Sequence, residues 1–426
     1  MKNIILIFLV FFMANNLLAQ STLITAKGYI DVESGELITP ANIVIQDGVI
    51  AAINPLTLPT DAEEIDLGDN ILLPGFMDMH VHLDLDFGPN AFQIVVTESG
   101  SKGALRAAKN AEISLMAGFT TVRNMGQVHY TNEMIDVATA EAIEEGWFVG
   151  SRIIPAGHMI TILGGHGDLS MGQGLAENIL NLGPEKGVIS GADEATHATR
   201  YQIKHGAKVI KIHATAGVMS TEESVGAQQL SNEEMNAIVE EARRHNMPVG
   251  AHAHGTEGIK NAIRAGVSSI EHGSMLDDEA IQMMIDYDVF LVPTTGLIDL
   301  IPLDMLPPQN REKAEYVFPF AKQSLANAID AGVKIALGSD APVLLHGKNA
   351  YEIIAMVNRG MSSADALRSA TMHPAALIQM DEELGQIKGG MIADIIAVSE
   401  NPLDNIATVE QVNFVMKGGI VYKLED

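Results

Sequence analysis

The chain has 426 residues, 47% hydrophobic and 19% charged, enough to bury the core of a large α/β barrel with a smaller domain attached. Its 54 acidic against 26 basic side chains give a formal charge of -28, a field that repels nucleic acid and anionic membrane and leaves small molecules as the expected partners. There is no cysteine, which excludes disulfide stapling and cysteine-linked lipid anchoring.

After Lys2 the stretch IILIFLVFFMANNLLA is too short in its continuous apolar part to span a bilayer, and the small residue Ala19 stands where a signal peptidase would cut. Residues 1–19 therefore read as a cleaved export signal, which puts the mature protein in the periplasm or outside the cell. An uncleaved anchor is the alternative. Residues 20–72 alternate apolar and polar side chains, with turn signals at Asp47-Gly48 and Leu67-Gly68-Asp69, and predict short antiparallel strands. Residues 73–385 alternate strand-like runs with stretches of helical period such as NEEMNAIVEEARRHN and TEGIKNAIRAG. The runs are MDMHVHL, TTVRNMG, RIIPAG, VIKIHATAG, VGAHAHG, SSIEHGS, VFLVPTT and KIALGSD, eight in all, the number that closes a parallel barrel. Residues 386–426 return to strand character in IADIIAVS and NFVMKGGIVYK. The predicted architecture is α/β, a (β/α)8 TIM barrel with a small β-sandwich formed from both termini.

Six side chains able to hold a metal fall at the C-terminal ends of five of these runs: His80, His82, Lys211, His252, His272 and Asp340. Singly they mean little. Two histidines in an HxH pair can be a polar strand end, and His252 or His272 alone reads as a satisfied core histidine. In series they point to a metal centre. Alternate strand residues face the same way, so His80 pairs with His82, Lys211 with His213, and His252 with His254. The C-terminal strand ends of an eight-stranded α/β barrel also gather its active site. A bare Lys inside VIKIHA is costly to bury and would repel a cation. Both objections disappear if CO2 has carboxylated the amine, giving a carbamate that bridges two cations.

At these residues the chain after its leader resembles the amidohydrolase superfamily, which joins a metal-dependent (β/α)8 barrel to a β-sandwich from both termini. The resemblance implies His80 and His82 on a first cation, a carboxylated Lys211 as bridge, and His252 and His272 on a second. It makes Asp340 a ligand of the first cation and the proton shuttle. LLPGFMDMHVHLD, AHAHG, SIEHGS and ALGSDAP look like the branch near imidazolonepropionase. TTVRNMG, ITILGGHGD and HGKNAYEI are similar to its Xaa-Pro or Xaa-basic dipeptidases and ochratoxin-type amidases. Two positions depart from that branch, Asn124 where Asp is common and Ala216-Gly217 where two glycines are common; His254 occupies a position often held by Tyr or His.

The expected cofactors are two divalent cations, zinc by the preference of imidazole and carbamate ligands, with manganese or cobalt also compatible. The expected reaction is hydrolysis of an amide, Asp340 carrying the proton from water to the leaving nitrogen. His254 and His166 stand as donors to a developing oxyanion or a substrate carboxylate, against a role in packing alone. Arg123 stands as a bidentate partner for an anionic substrate end, against a tie between strand ends. Tyr201 and His346 are further substrate candidates. GGHGD lacks the Lys and Ser or Thr of a phosphate loop, so nucleotide binding is not expected. The resemblance implies a homo-oligomeric dipeptidase or amidase that releases a C-terminal residue from a dipeptide or N-acyl amino acid, with no nucleic-acid partner and no membrane contact beyond the leader. The alternative is a hydrolase or deaminase of cyclic amides or heterocycles, which the export signal disfavours. A non-catalytic barrel is disfavoured by the complete ligand set.

Overall fold

The computed structural model describes residues 21–425 except 89, 169–181, 221 and 223; the leader and its Ala19 cleavage position lie outside the described residues. Asp47 and Gly48 both take positive φ, 52° and 78°, the conformation that turns one strand tightly back on the next. They join Ala41–Gln46 to Val49–Ile53, with Gln46 opposite Val49. Gly418 and Gly419 do the same between Val412–Lys417 and Ile420–Leu424. These hairpins belong to two sheets, one of four strands and one of six. The six-stranded sheet is built from both ends of the chain, with Ile395–Val398 antiparallel to Ile71–Pro74. Inward residues meet between the sheets: Ile24, Ile43 and Ile45 from one, Leu72, Ile395, Phe414 and Met416 from the other. This is a β-sandwich with its own core, beside a TIM barrel.

The barrel strands are buried on both faces, which explains why they read as continuous apolar runs. The first seven are Phe76–Val81, Phe119–Asn124, Arg152–Pro155, Ile210–His213, Val249–Ala253, Ser269–His272 and Phe290–Val292. Neighbours pair in parallel from first to third and from fourth to seventh. Between third and fourth, the bridge Ile160 to Ile212 continues the ring. The eighth run, KIALGSD, forms no regular strand. It is hydrogen-bonded on both sides all the same: Leu291 N to Lys334 O at 2.9 Å, and Met79 N to Leu337 O and Asp340 N to His80 O, both at 2.8 Å. The ring thus closes on isolated bonds where the sequence predicts a strand.

The surrounding helices follow the apolar period. In Asn232–Arg244, Met235, Ile238, Val239 and Ala242 are buried on one face, and Ser231 with Glu234 forms a reciprocal cap at the start. Among the described residues no helix is long and apolar enough to cross a membrane.

Candidate metal centre

The C-terminal strand ends open into a cavity of about 300 Å³. His80, His82, Lys211, His213, His252, His254, His272 and Asp340 line its polar end, joined by His166 from the segment after the third strand. Nε2 of His80 and Nε2 of His82 each stand 3.6 Å from Oδ1 of Asp340. That is too long for a hydrogen bond. It is close to the edge of about 3.4 Å that ligands span around a tetrahedral cation at bond lengths of about 2.1 Å.

The tautomers of His82 and His80 are fixed from behind. His82 Nδ1 lies 2.8 Å from the Gly126 carbonyl oxygen, and a carbonyl only accepts, so Nδ1 carries the proton and the Nε2 lone pair faces Asp340. Glu271 does the same for His80, its Oε2 lying 2.9 Å from Nδ1. His272 Nδ1 is 2.8 Å from Thr294 Oγ1, His254 Nδ1 2.7 Å from Ser274 Oγ, and His166 Nδ1 2.8 Å from Ser220 Oγ. His252 Nε2 and His213 Nδ1 are buried with no hydrogen-bond partner. Native interiors seldom leave such atoms unsatisfied. Three groups bring one ligand atom of each member within 4.8 Å of the others: His80, His272 and Asp340; His252, His254 and His272; His166, His213 and His252. Orphaned nitrogens and facing lone pairs fit a metal-binding centre.

The electrostatics agree. Burial, with the Lys211 charge adding, pushes the His254 imidazole down to about 3. Burial and the charges of His254 and Lys211 bring His166 down to about 3 as well. Neutral imidazole is the form that binds metal. Burial lowers the Lys211 amine, against Glu271 and Asp340, and raises the Asp340 carboxyl, against Lys211. The backbone is strained at the same place: His272, Thr294 and Asp340 have φ of 70°, 48° and 54°. Each non-glycine residue there costs on the order of 1–3 kcal/mol and survives only where its surroundings over-determine it.

Of the substrate candidates, His166 and His254 line the cavity. Arg123, expected at an anionic substrate end, is instead fully buried beneath the cluster. It donates from Nε to Met79 O at 2.7 Å, and through its terminal nitrogens to Ser269 Oγ at 3.1 Å and Glu271 Oε1 at 2.8 Å. Arg123 thus holds the carboxylate that holds His80. Tyr201 lies outside the cavity lining, on helix Ala192–Lys204, its ring 4.4 Å from His205. His346 also lies outside, beside the backbone of His82 and Leu85. Asn124, one of the departures, accepts from Leu83 N at 2.8 Å and braces the loop after His82. Two residues of the centre were given no role from the sequence. Glu271 carried a signal, an acid inside the buried run SSIEHGS. His213 shares a strand face with Lys211.

Residues 71–421 match the Amidohydrolase family. A crystal structure of a Xaa-Pro dipeptidase with methionine bound in its active site is 37% identical and superposes with a TM-score of 0.89, covering 95% of this chain and 100% of that one. Ochratoxinase of Aspergillus niger is 33% identical, over 95% of this chain and 87% of its own length. Imidazolonepropionase of Thermoplasma acidophilum is 23% identical over 90% of each chain. A family match of that extent decides the matter: the chain belongs to the amidohydrolase family, enzymes that hydrolyse amide and related carbon–nitrogen bonds.

Proposed function

We propose that the enzyme is a dipeptidase or amidase that releases the C-terminal residue of an apolar dipeptide or N-acyl amino acid. The observation that carries this is the contrast within one cavity. Its polar end is the histidine, lysine and aspartate cluster. Its walls are Leu85, Phe87, Val218, Leu297, Ile298 and Phe318 among other apolar side chains. Among the described residues lining it, Lys211 is the sole Lys or Arg and Asp340 the sole acid. A basic substrate side chain would find no carboxylate on those walls, so Xaa-Pro and bulky apolar N-acyl substrates fit better than Xaa-Arg. The similarity to the Xaa-Pro dipeptidase and to ochratoxinase supports the same reading.

His80, His82 and Asp340 would hold one divalent cation, His252 and His272 a second, with Lys211 as a carbamate between them. Zinc suits these ligands. Such cations supply Lewis-acid polarisation of the scissile carbonyl and a water of lowered pKa. The chain's own groups do the rest. Asp340 takes the proton of the attacking water and delivers it to the leaving nitrogen. His254 and His166, oriented by Ser274 and Ser220, donate to oxygens of the substrate. The apolar walls exclude water from the developing charge. The apolar leader supports export, which fractionation of cells would test.

The test is a screen of purified, zinc-reconstituted enzyme against Xaa-Pro, Xaa-Arg and N-acyl amino acid libraries. Turnover concentrated in apolar Xaa-Pro and N-acyl substrates is expected. Turnover of cyclic amides or imidazolones with none of the linear substrates would replace this reading by the cyclic one.

A further inference from the structure

A dipeptide or N-acyl amino acid carries a C-terminal carboxylate, and burying that charge without a positive partner is unfavourable. Arg123, which stood for this task in the sequence, is paired with Glu271 beneath the cluster. Lys211 would be a carbamate, and no other Lys or Arg lines the cavity among the described residues. One stands just behind its wall.

Lys313 lies on helix Pro308–Ala331 between residues that line the cavity. Leu306 and Pro307 come before it, and Val317 follows one turn later on the same face. Lys313 is 5% exposed, and its Nζ donates to the Ser220 carbonyl oxygen at 2.8 Å. Among the described residues it has no ion pair; Glu222, the acid whose charge reaches it, accepts instead from Gln229. A buried ammonium held by a neutral oxygen is an unusual thing to keep without a use.

The carbonyl it grips belongs to a turn at the cavity. Ser220 N donates back to Gly217 O at 3.2 Å, and Val218 and Met219 between them line the cavity. Asn310, one turn before Lys313, donates to Val218 O at 2.6 Å. Ser220 also holds His166, its Oγ lying 2.8 Å from Nδ1, and the Lys313 charge is felt at that imidazole. Helix, turn and His166 are thus one assembly with an unneutralised cation in it.

We propose that Lys313 sets the enzyme's specificity for a free carboxylate: it fastens the Gly217–Ser220 turn at the His166 end of the cavity and gives that end its positive charge. The charge acts from behind the wall, across a dry interior that screens it far less than water would. This rests on the dipeptidase or amidase reading, whose substrates end in such a carboxylate.

The test uses zinc-loaded enzyme and two substrates differing at one end, an Xaa-Pro or N-acyl amino acid and its C-terminal carboxamide. Wild type should show the lower KM for the acid. In Lys313→Met the ratio of the two KM values should move against the acid by about tenfold or more, with kcat changed only a few-fold. Lys313→Gln keeps a donor for Ser220 O without the charge, and should shift the ratio likewise. A wild-type ratio in Lys313→Gln would make Lys313 a brace for the turn and overturn the proposal. Equal KM for acid and carboxamide in wild type overturns it too, even if neither variant folds. Wild type that hydrolyses no such acid would instead refute the dipeptidase or amidase reading. Calorimetry with N-acetyl-L-proline and N-acetyl-L-prolinamide then decides for Lys313: tighter binding of the acid that Lys313→Gln loses supports the role, and equal affinities in wild type remove it.

Discussion

Asp340 and Lys211 share one buried place and are displaced in opposite senses, the acid upward and the amine downward. A proton shuttle is needed in the transition state more than in binding, so Asp340→Asn should lower kcat by on the order of 10²-fold or more. Elemental analysis of the same preparation separates that loss from loss of cation. Lys211→Ala should lose metal and activity together, with partial rescue by short carboxylic acids. Lys211→Arg should not be functional, since a guanidinium stays positive and forms no carbamate; wild-type turnover in it would make Lys211 structural. His254 gives the pH dependence its sign. Its folded pKa of about 3 lies below the ordinary imidazole value, so between pH 6.5 and 3 the unfolded chain binds a proton that the folded one does not. Stability of the metal-free protein should therefore fall as pH drops through that window, by on the order of 1 kcal/mol per unit for this group. Thermal melts of His254→Gln, which has nothing to titrate, should show a shallower slope.

At the scale of elements, the centre depends on groups that never face the substrate. Glu271→Gln should weaken metal affinity by about 10- to 100-fold while leaving the fold intact, because it frees the His80 tautomer and unpairs Arg123. Gly217→Ala places a methyl against His252 and should release metal without unfolding the barrel, as circular dichroism with a metal assay would show. The same distinction explains what could be read from the sequence. The helix at Asn232–Arg244 was legible because Ser231, Glu234 and the apolar spacing of Met235, Ile238 and Ala242 are local signals. Seven barrel strands were legible as buried runs ending in polar residues. Arg123 stayed open between a substrate contact and a strand tie because its partners Ser269 and Glu271 lie about 150 residues away in sequence, and no local pattern reports them. The helix Pro308–Ala331 runs through Pro319, a residue that normally argues for a break. The pair Thr161–Ile162 and Val188–Ile189 is too short to leave a period.

Over the whole molecule, the sandwich ties the two ends of the chain into one sheet and delivers Pro74 directly into the strand that carries His80 and His82. The unpatterned eighth run has a further consequence. Where it meets the first strand, the barrel is closed by a few separate bonds, among them Met79 N to Leu337 O and His82 N to Ala341 O. That seam has no continuous ladder to hold it. His80 and His82 lie on one lip and Asp340 on the other, so a cation gripped by all three would rivet the lips together. Chelation should then unzip the barrel locally: the amides of Met79, His82 and Asp340 should exchange hydrogen at least tenfold faster, while those of Ile24, Ile43 and Ile395 in the sandwich keep their protection. Uniform exchange across both domains would show instead that the cation steadies the fold as a whole. If the lips part alone, a thinly bonded join of the barrel and its chemistry are the same few residues, and losing metal would mark the chain for proteolysis at its own active site.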